Sequence, residues 1–183
     1  MSTPAEPTPS MEPHEILTSL GACPDAVKWS KKYRSAKSAW ANCERGDWLL
    51  WLAGKKAGPV GDERRKKLVL AACGCARIAL PIWQKRYPDD KRVEVCLDTA
   101  ERWARNEATL EALQVSRINC SSAASYAYAA YAASAAYAAY AAYAASAAYA
   151  AYAAYAAASA ADLSKTLAQC ADIVRTFYKE PPV

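Results

Sequence analysis

The sequence predicts an all-α protein, a multi-helix bundle that carries one long Ala/Tyr-rich helical segment. Three observations predict it. Residues 121–161 contain only Ala, Tyr and Ser, with no charge, Gly or Pro. β-Branched residues are scarce throughout, which removes the usual material of strands. The Gly and Pro residues before position 109 cut the chain into pieces of helical length.

Alanine has the lowest helical cost of any residue, so the 121–161 tract is expected to be helix. Larger residues recur every third position: Tyr128, Tyr131, Ser134, Tyr137, Tyr140, Tyr143, Ser146, Tyr149, Tyr152 and Tyr155. An α-helix turns about 100° per residue, so each Tyr falls about 60° behind the last. The phenols therefore spiral round the cylinder over about six steps. A 3₁₀-helix would stack them in one stripe, but such runs rarely pass about four residues. A helix with one buried face would repeat at i, i+3, i+4 and i+7. This tract does not, so it is either enclosed by other helices or meets another molecule. The plainer account is a repeat expansion that a helix tolerates.

At 183 residues the chain can bury a real core. We expect a Pro-rich arm over 1–12 and a single all-α domain over 13–183. The arm, MSTPAEPTPSMEP at its start, has neither a basic opening nor an apolar run, so it does not read as a signal peptide. That points to a cytoplasmic protein. The seven cysteines are odd in number and sit in apolar helical context, as reduced, buried small hydrophobes do. The net charge of +5 is modest and does not call for nucleic acid.

In chain order, Pro13 to Leu20 reads as a short helix ending at Gly21. Pro24 and Asp25 open a second, with Pro at the first helical position. Ser35 can cap a third, bearing Trp40 and Cys43 and closed by Gly46. Asp47 can cap a fourth, with Trp48, Leu49, Leu50, Trp51 and Leu52 buried. Residues 55–61 read as a loop. Asp62 starts a fifth helix whose first half is Arg64, Arg65, Lys66 and Lys67. Its second half, Leu68 to Leu80, is apolar all round except Arg77, the mark of a central helix. Gly74 there costs up to about 1 kcal/mol against Ala, so a second helix should cross close to its backbone. Pro81 bends or ends this helix, and Pro88, Asp89 and Asp90 open the next. Val93, Cys96, Leu97, Ala100, Trp103 and Ala104 form its core face, with Asp98–Arg102 and Glu101–Arg105 as i, i+4 pairs outside.

From Thr109, a candidate cap, to Glu180 there is no Gly or Pro. A straight helix of that length would run about 105 Å, against roughly 40 Å for a compact domain of this size. Breaks are expected at 119–122 and 159–162, where Ser, Asn and Asp can cap new helices. Leu163, Leu167, Cys170, Val174 and Phe177 then form an apolar stripe.

Few residues suggest chemistry. The only histidine, His14, lies at the edge of the arm, away from any acid–base scheme. No phosphate loop or HExxH pattern is present. Cys73 and Cys75 point about 200° apart on a helix, so packing is expected, not a metal. No cofactor is implied. The run Arg64 to Lys67 could serve an anionic surface but reads equally as a solvated face. Arg77, a single charge on an apolar helix, needs a partner such as Asp98 or Glu101 and is expected to be buried. The tract lacks Leu, Ile, Val and Phe and spreads phenols along its length, so a membrane span is not expected. A rotating Tyr also does not suit the flat repeat of an ice-binding helix.

Several blocks together resemble one family: AWANCERGDWLLWLAG (39–54), LVLAACGCARIALP (68–81), DTAERWARNEATLE (98–111), the Ala/Tyr tract and CADIVRTFY (170–178). They are similar to the immunity proteins of bacterial polymorphic toxin systems, in the immunity-five-like branch, which also occurs in phages. The resemblance covers about residues 22 to 178. It implies an α-helical, non-catalytic protein that binds and neutralises a protein toxin or host defence factor. The regular tyrosine spacing departs from the family's looser alanine tract. The alternative is a structural, self-assembling protein, such as one of a phage, whose Ala/Tyr helices pack between subunits of a homo-oligomer. Either way the expected contact residues are Tyr137, Tyr140, Tyr143, Tyr149, Tyr152 and Tyr155, the aromatic type favoured where one end is dry and the other wet.

Overall fold

The computed structural model describes residues 11–129, 150–160 and 162–183. Among them are ten helices and no strand. They are α1 (Pro13–Ser19), α2 (Pro24–Ser30), α3 (Ala36–Asn42), α4 (Gly46–Lys55) and α5 (Glu63–Arg77), followed by α6 (Leu80–Arg86), α7 (Arg92–Ala104), α8 (Leu110–Ala129), α9 (Ala150–Ala160) and α10 (Leu163–Phe177). Of the arm expected over 1–12, only residues 11 and 12 fall among the described residues. The fold is all-α, as the composition predicts.

The chain divides into two compact units, 1–42 together with Val183, and 43–182. In the first unit Pro24 stands at the start of α2, and the Ser35 hydroxyl caps α3 by accepting from the Ser38 N–H at 3.1 Å. Gly21, at φ +75°, follows α1 in the left-handed conformation that glycine adopts cheaply.

The second unit is built around α5. Leu68, Val69, Ala71, Ala72, Cys73, Cys75 and Ala76 are all buried. α4, α6, α7, α9 and α10 pack against it, and α8 lies on α7. Its start is set by Asp62, whose carboxylate accepts from the Arg64 N–H at 2.8 Å. Its end follows from Pro81: the ring at that position excludes a helical carbonyl at Arg77. The helix stops at Arg77, and α6 departs at 48°.

Two glycines mark where α10 crosses. A Cβ on Gly74 would lie 2.8 Å from Ile173 Cγ2, so the close approach expected at Gly74 is that of α10. Gly46 makes the tighter contact. A Cβ there would lie 2.3 Å from Cys170 Cβ and 2.7 Å from the Ala171 backbone nitrogen. Gly46 therefore does not close α3, as its place in the sequence suggested; it is the first residue of α4, and it lets two backbones nearly touch.

Three further expectations are corrected. Asp47 does not cap α4 but lies within its first turn, held by the Arg45 guanidinium at 2.8 and 2.6 Å. No break occurs at 119–122: α8 runs through it, and the Ser122 hydroxyl donates to the Ile118 carbonyl within the helix. The break at 159–162 is present, with Asp162 capping α10 by accepting from the Lys165 N–H at 2.9 Å. In the α10 stripe Leu167, Cys170 and Val174 are buried, but Leu163 is exposed. Lastly, α7 ends in a turn that no Gly announced. Asn106 takes φ 65°, and the Glu107 and Asn106 N–H groups donate to the Arg102 and Trp103 carbonyls, closing the helix in a Schellman arrangement.

Candidate protein-interaction surface

The Ala/Tyr composition divides cleanly on α9. Ala153, Ala154, Ala156, Ala157 and Ala158 are fully buried against α4, α5 and α10. Tyr152 and Tyr155 are 48% and 47% exposed, with Ser159 half-buried one turn on. The division has a physical cause. A helix faced with methyl groups can sit close among three neighbours, and that space has no room for a phenol. The rings go outside, and over this short helix two of them form one stripe; the spiral needs a longer run to come round. Tyr137, Tyr140, Tyr143 and Tyr149 lie outside the described residues.

α8 follows the same rule. Cys120, Ala123, Ala124 and Ala127 are fully buried, while Tyr126 is 57% exposed. Its ring meets Tyr87 at 5.6 Å, and Tyr87 in turn meets Trp83 at 4.6 Å. Trp83 is fully buried and donates its indole N–H to the Asp90 carbonyl at 2.8 Å. A ladder of tilted rings thus runs from the core to the surface.

Part of this aromatic surface has no clear signal in the sequence. Trp48 and Trp51 were expected in the core with their neighbours, but both are half-buried. Five large residues in succession cannot all face inward on one helix. Leu49, Leu50 and Leu52 take the core; the indoles face out, with Arg45 over Trp48 at 4.4 Å and Lys55 over Trp51 at 4.9 Å. The spacing of Arg45, Trp48, Trp51 and Lys55 could have found this, since it repeats every third or fourth residue.

Arg77 bonds both proposed acids: Nε donates to Glu101 Oε1 and Nη2 to Asp98 Oδ1, each at 2.7 Å. Its side chain is 35% exposed, so it stands at the rim of the core instead of inside it. The Glu101 hydrogen bond above all holds its pKa higher still than usual. Glu101 also reaches Arg105 at 3.8 Å, but the second expected surface pair does not form. Asp98 is taken by Arg77, and Arg102 donates to the Glu107 carbonyl.

The basic run is equally occupied. Arg64 pairs with Asp62 at 2.7 Å, and Arg65 donates twice to the Gly58 carbonyl. Lys66 reaches Glu63 and Asn106, each at 2.6 Å, and Lys67 lies over the Tyr178 ring at 4.6 Å. These cations fasten the loop before α5 and the turn after α7, which suits a structural role better than an anion-binding one.

Six of the seven cysteines are buried and Cys23 is exposed; all are free thiols. Cys73 and Cys75 are both enclosed, and the Cys75 thiol donates to the Cys170 carbonyl at 3.7 Å. Burial pushes the Cys73 thiol well up, and contact with Cys170, then burial, does the same for Cys75. Among the described residues no group of His, Cys, Asp and Glu could hold a metal ion. No single described helix is long and apolar enough to cross a membrane.

The family model described as "Imm-5 like putative immunity protein" matches residues 58–176, from the loop before α5 almost to the end of α10. Comparison with curated proteins and with solved structures finds no match.

Proposed function

Because the chain belongs to this Imm-5 like immunity-protein family, we propose that it binds a protein toxin and holds it inactive, with no chemistry of its own. The contact is made by the outward tyrosines of the Ala/Tyr helices. The observation that carries the reading is the split on α9: alanines fill the interior, and Tyr152 and Tyr155 stay half exposed. Tyr at the centre of an interface is a common source of binding energy, because a rigid ring covers much area and its hydroxyl finds a partner. Tyr137, Tyr140, Tyr143 and Tyr149 extend the same surface in this reading, and the toxin is met in the cytoplasm.

The test is co-expression with the product of the gene beside this one in its own genome. Expression of that product alone should stop growth, and this chain should restore it. Growth arrest that the chain fails to relieve would remove the proposal for that partner.

A further inference from the structure

The turn from α2 to α3 carries a second basic run, of a different character from Arg64 to Lys67. Lys28, Lys31, Lys32, Arg34 and Lys37 fall within ten positions, and all five are exposed. Asp25 is the only acid between Glu15 and Glu44. Glu12 and Glu15 are engaged in the reciprocal cap at the start of α1. The side chains of Lys28, Lys31 and Arg34 make no ion pair or hydrogen bond among the described residues. Arginines of the second unit behave otherwise: Arg64, Arg77, Arg92 and Arg175 each hold an acid. The turn is also firmly built. Trp29 and Tyr33 bring their ring centroids to 4.8 Å, and Lys32 Nζ lies 5.1 and 5.2 Å from the two rings. Lys31 keeps helical dihedrals beyond the end of α2, so Lys28 and Lys31 stand one turn apart. Like charges at that spacing cost stability unless an anion relieves them.

We propose that this turn binds the phosphate backbone of nucleic acid without regard to sequence, through Lys28, Lys31, Lys32 and Arg34. The surroundings of the cations select that partner. Among the described residues of 12–59 no large apolar side chain is exposed. A protein interface is built on a dry apolar centre and is poor in lysine. An anionic membrane holds a protein firmly only where apolar groups also enter the bilayer. A phosphate polymer needs neither, because cations grip it by displacing its counterions, and surfaces that bind it are strongly positive. The net charge of +5 hides this patch, since it averages the run with the acids of the second unit. The proposal does not rest on the toxin-binding reading, whose tyrosines belong to that second unit.

Fluorescence anisotropy of the full chain with labelled single strands of uridine and of deoxythymidine tests this. Both should bind, with dissociation constants of about 1 to 100 µM at physiological salt. Their affinities should be similar, because the phosphates are common to both. With four contacting cations, the logarithm of the association constant should fall with the logarithm of salt concentration at a slope of about −3. Lys28→Ala combined with Lys31→Ala and Arg34→Ala should weaken binding at least about tenfold at low salt and bring the slope to about −1. Circular dichroism should be unchanged, since all three side chains are exposed. Lys56→Ala combined with Lys85→Ala and Lys165→Ala removes the same charge from exposed lysines of the second unit and should leave the affinity nearly as it was. No binding of either strand by about 100 µM chain at low salt overturns the proposal. So does a control triple variant that loses as much affinity as the first, because net charge alone would then account for binding. Capture by phosphatidylserine vesicles but by neither strand overturns it as well, and assigns the patch to a membrane.

Discussion

The two glycines of α4 should respond to alanine with opposite signs. At Gly46 a methyl group would sit 2.3 Å from Cys170 Cβ, 2.7 Å from the Ala171 nitrogen and 2.8 Å from the Cys170 carbonyl carbon. Carbon atoms rest at about 3.5–4.0 Å, so α4 and α10 would have to part by more than about 1 Å. Two of the three obstructing atoms are backbone, which no rotamer change relieves. Overpacking generally costs about 1–3 kcal/mol, and this case belongs at the upper end. For a chain of this size 1 kcal/mol is worth about 2–4 °C, so Gly46→Ala should lower the melting temperature by roughly 6–12 °C. At Gly54 the nearest atom to a new Cβ is Leu68 Cδ2 at 3.8 Å, an ordinary contact. Gly54→Ala should therefore stabilise α4 by about 0.5–1 kcal/mol through backbone entropy alone. Thermal melts of the two variants followed by circular dichroism decide the matter. Equal effects, or a Gly46→Ala chain as stable as the parent, would refute the close crossing of α4 and α10.

Three further outcomes follow from the same geometry. Arg77→Ala should cost only about 1 kcal/mol, since its ion pairs are partly open to water; a double-mutant cycle with Glu101→Gln measures the coupling, and a loss of several kcal/mol would place Arg77 deep in the core after all. Thiol titration should find about one reactive group in native protein, Cys23, and seven after denaturation; two or more fast groups in the native state would contradict the burial of the rest. Stability should fall in alkali. Burial raises Tyr178 from 10.0 to about 12 and Cys43 from 9.0 to about 11, so both support the fold below their unfolded pKa values and cease to do so as pH climbs through the folded ones. Denaturant midpoints should drop between pH 9 and 12, and Tyr178→Phe should flatten the upper part of that fall.

Much of this fold was legible because the signals were local. Asp62, Thr109 and Asp162 each announce a helix start through a side chain that bonds the first turn, and each does so. The centrality of α5 was visible in its unbroken apolar second half, and Gly74 pointed to a crossing helix without naming it. What stayed hidden depends on neighbours distant in sequence. Gly46 looks the same whether it ends one helix or lets another approach, and only α10, more than a hundred residues later, separates the two. Trp48 and Trp51 read as core by size, but cations one turn away cover them and leave the interior to leucine. The exposure of Val115 and Ile118 on α8 was masked by the mixture of Val, Ile and Ser around them, which gives no strong periodic signal on either side. For the Ala/Tyr tract the composition predicted helix, while the sorting of alanine inward and tyrosine outward needed the three helices that surround α9.

The most direct test of the account is a binding titration of the proposed toxin partner against the chain carrying Tyr152→Ser and Tyr155→Ser, with the circular dichroism of both forms recorded. Both rings are nearly half exposed, so helicity should be unchanged. On the proposed assignment of these tyrosines to the interface centre, their loss at about 2 kcal/mol each should weaken binding by a factor of 100 or more. A variant that unfolds would show that these tyrosines belong to the core. One that folds and binds the toxin as tightly as the parent would contradict their assignment as the binding surface.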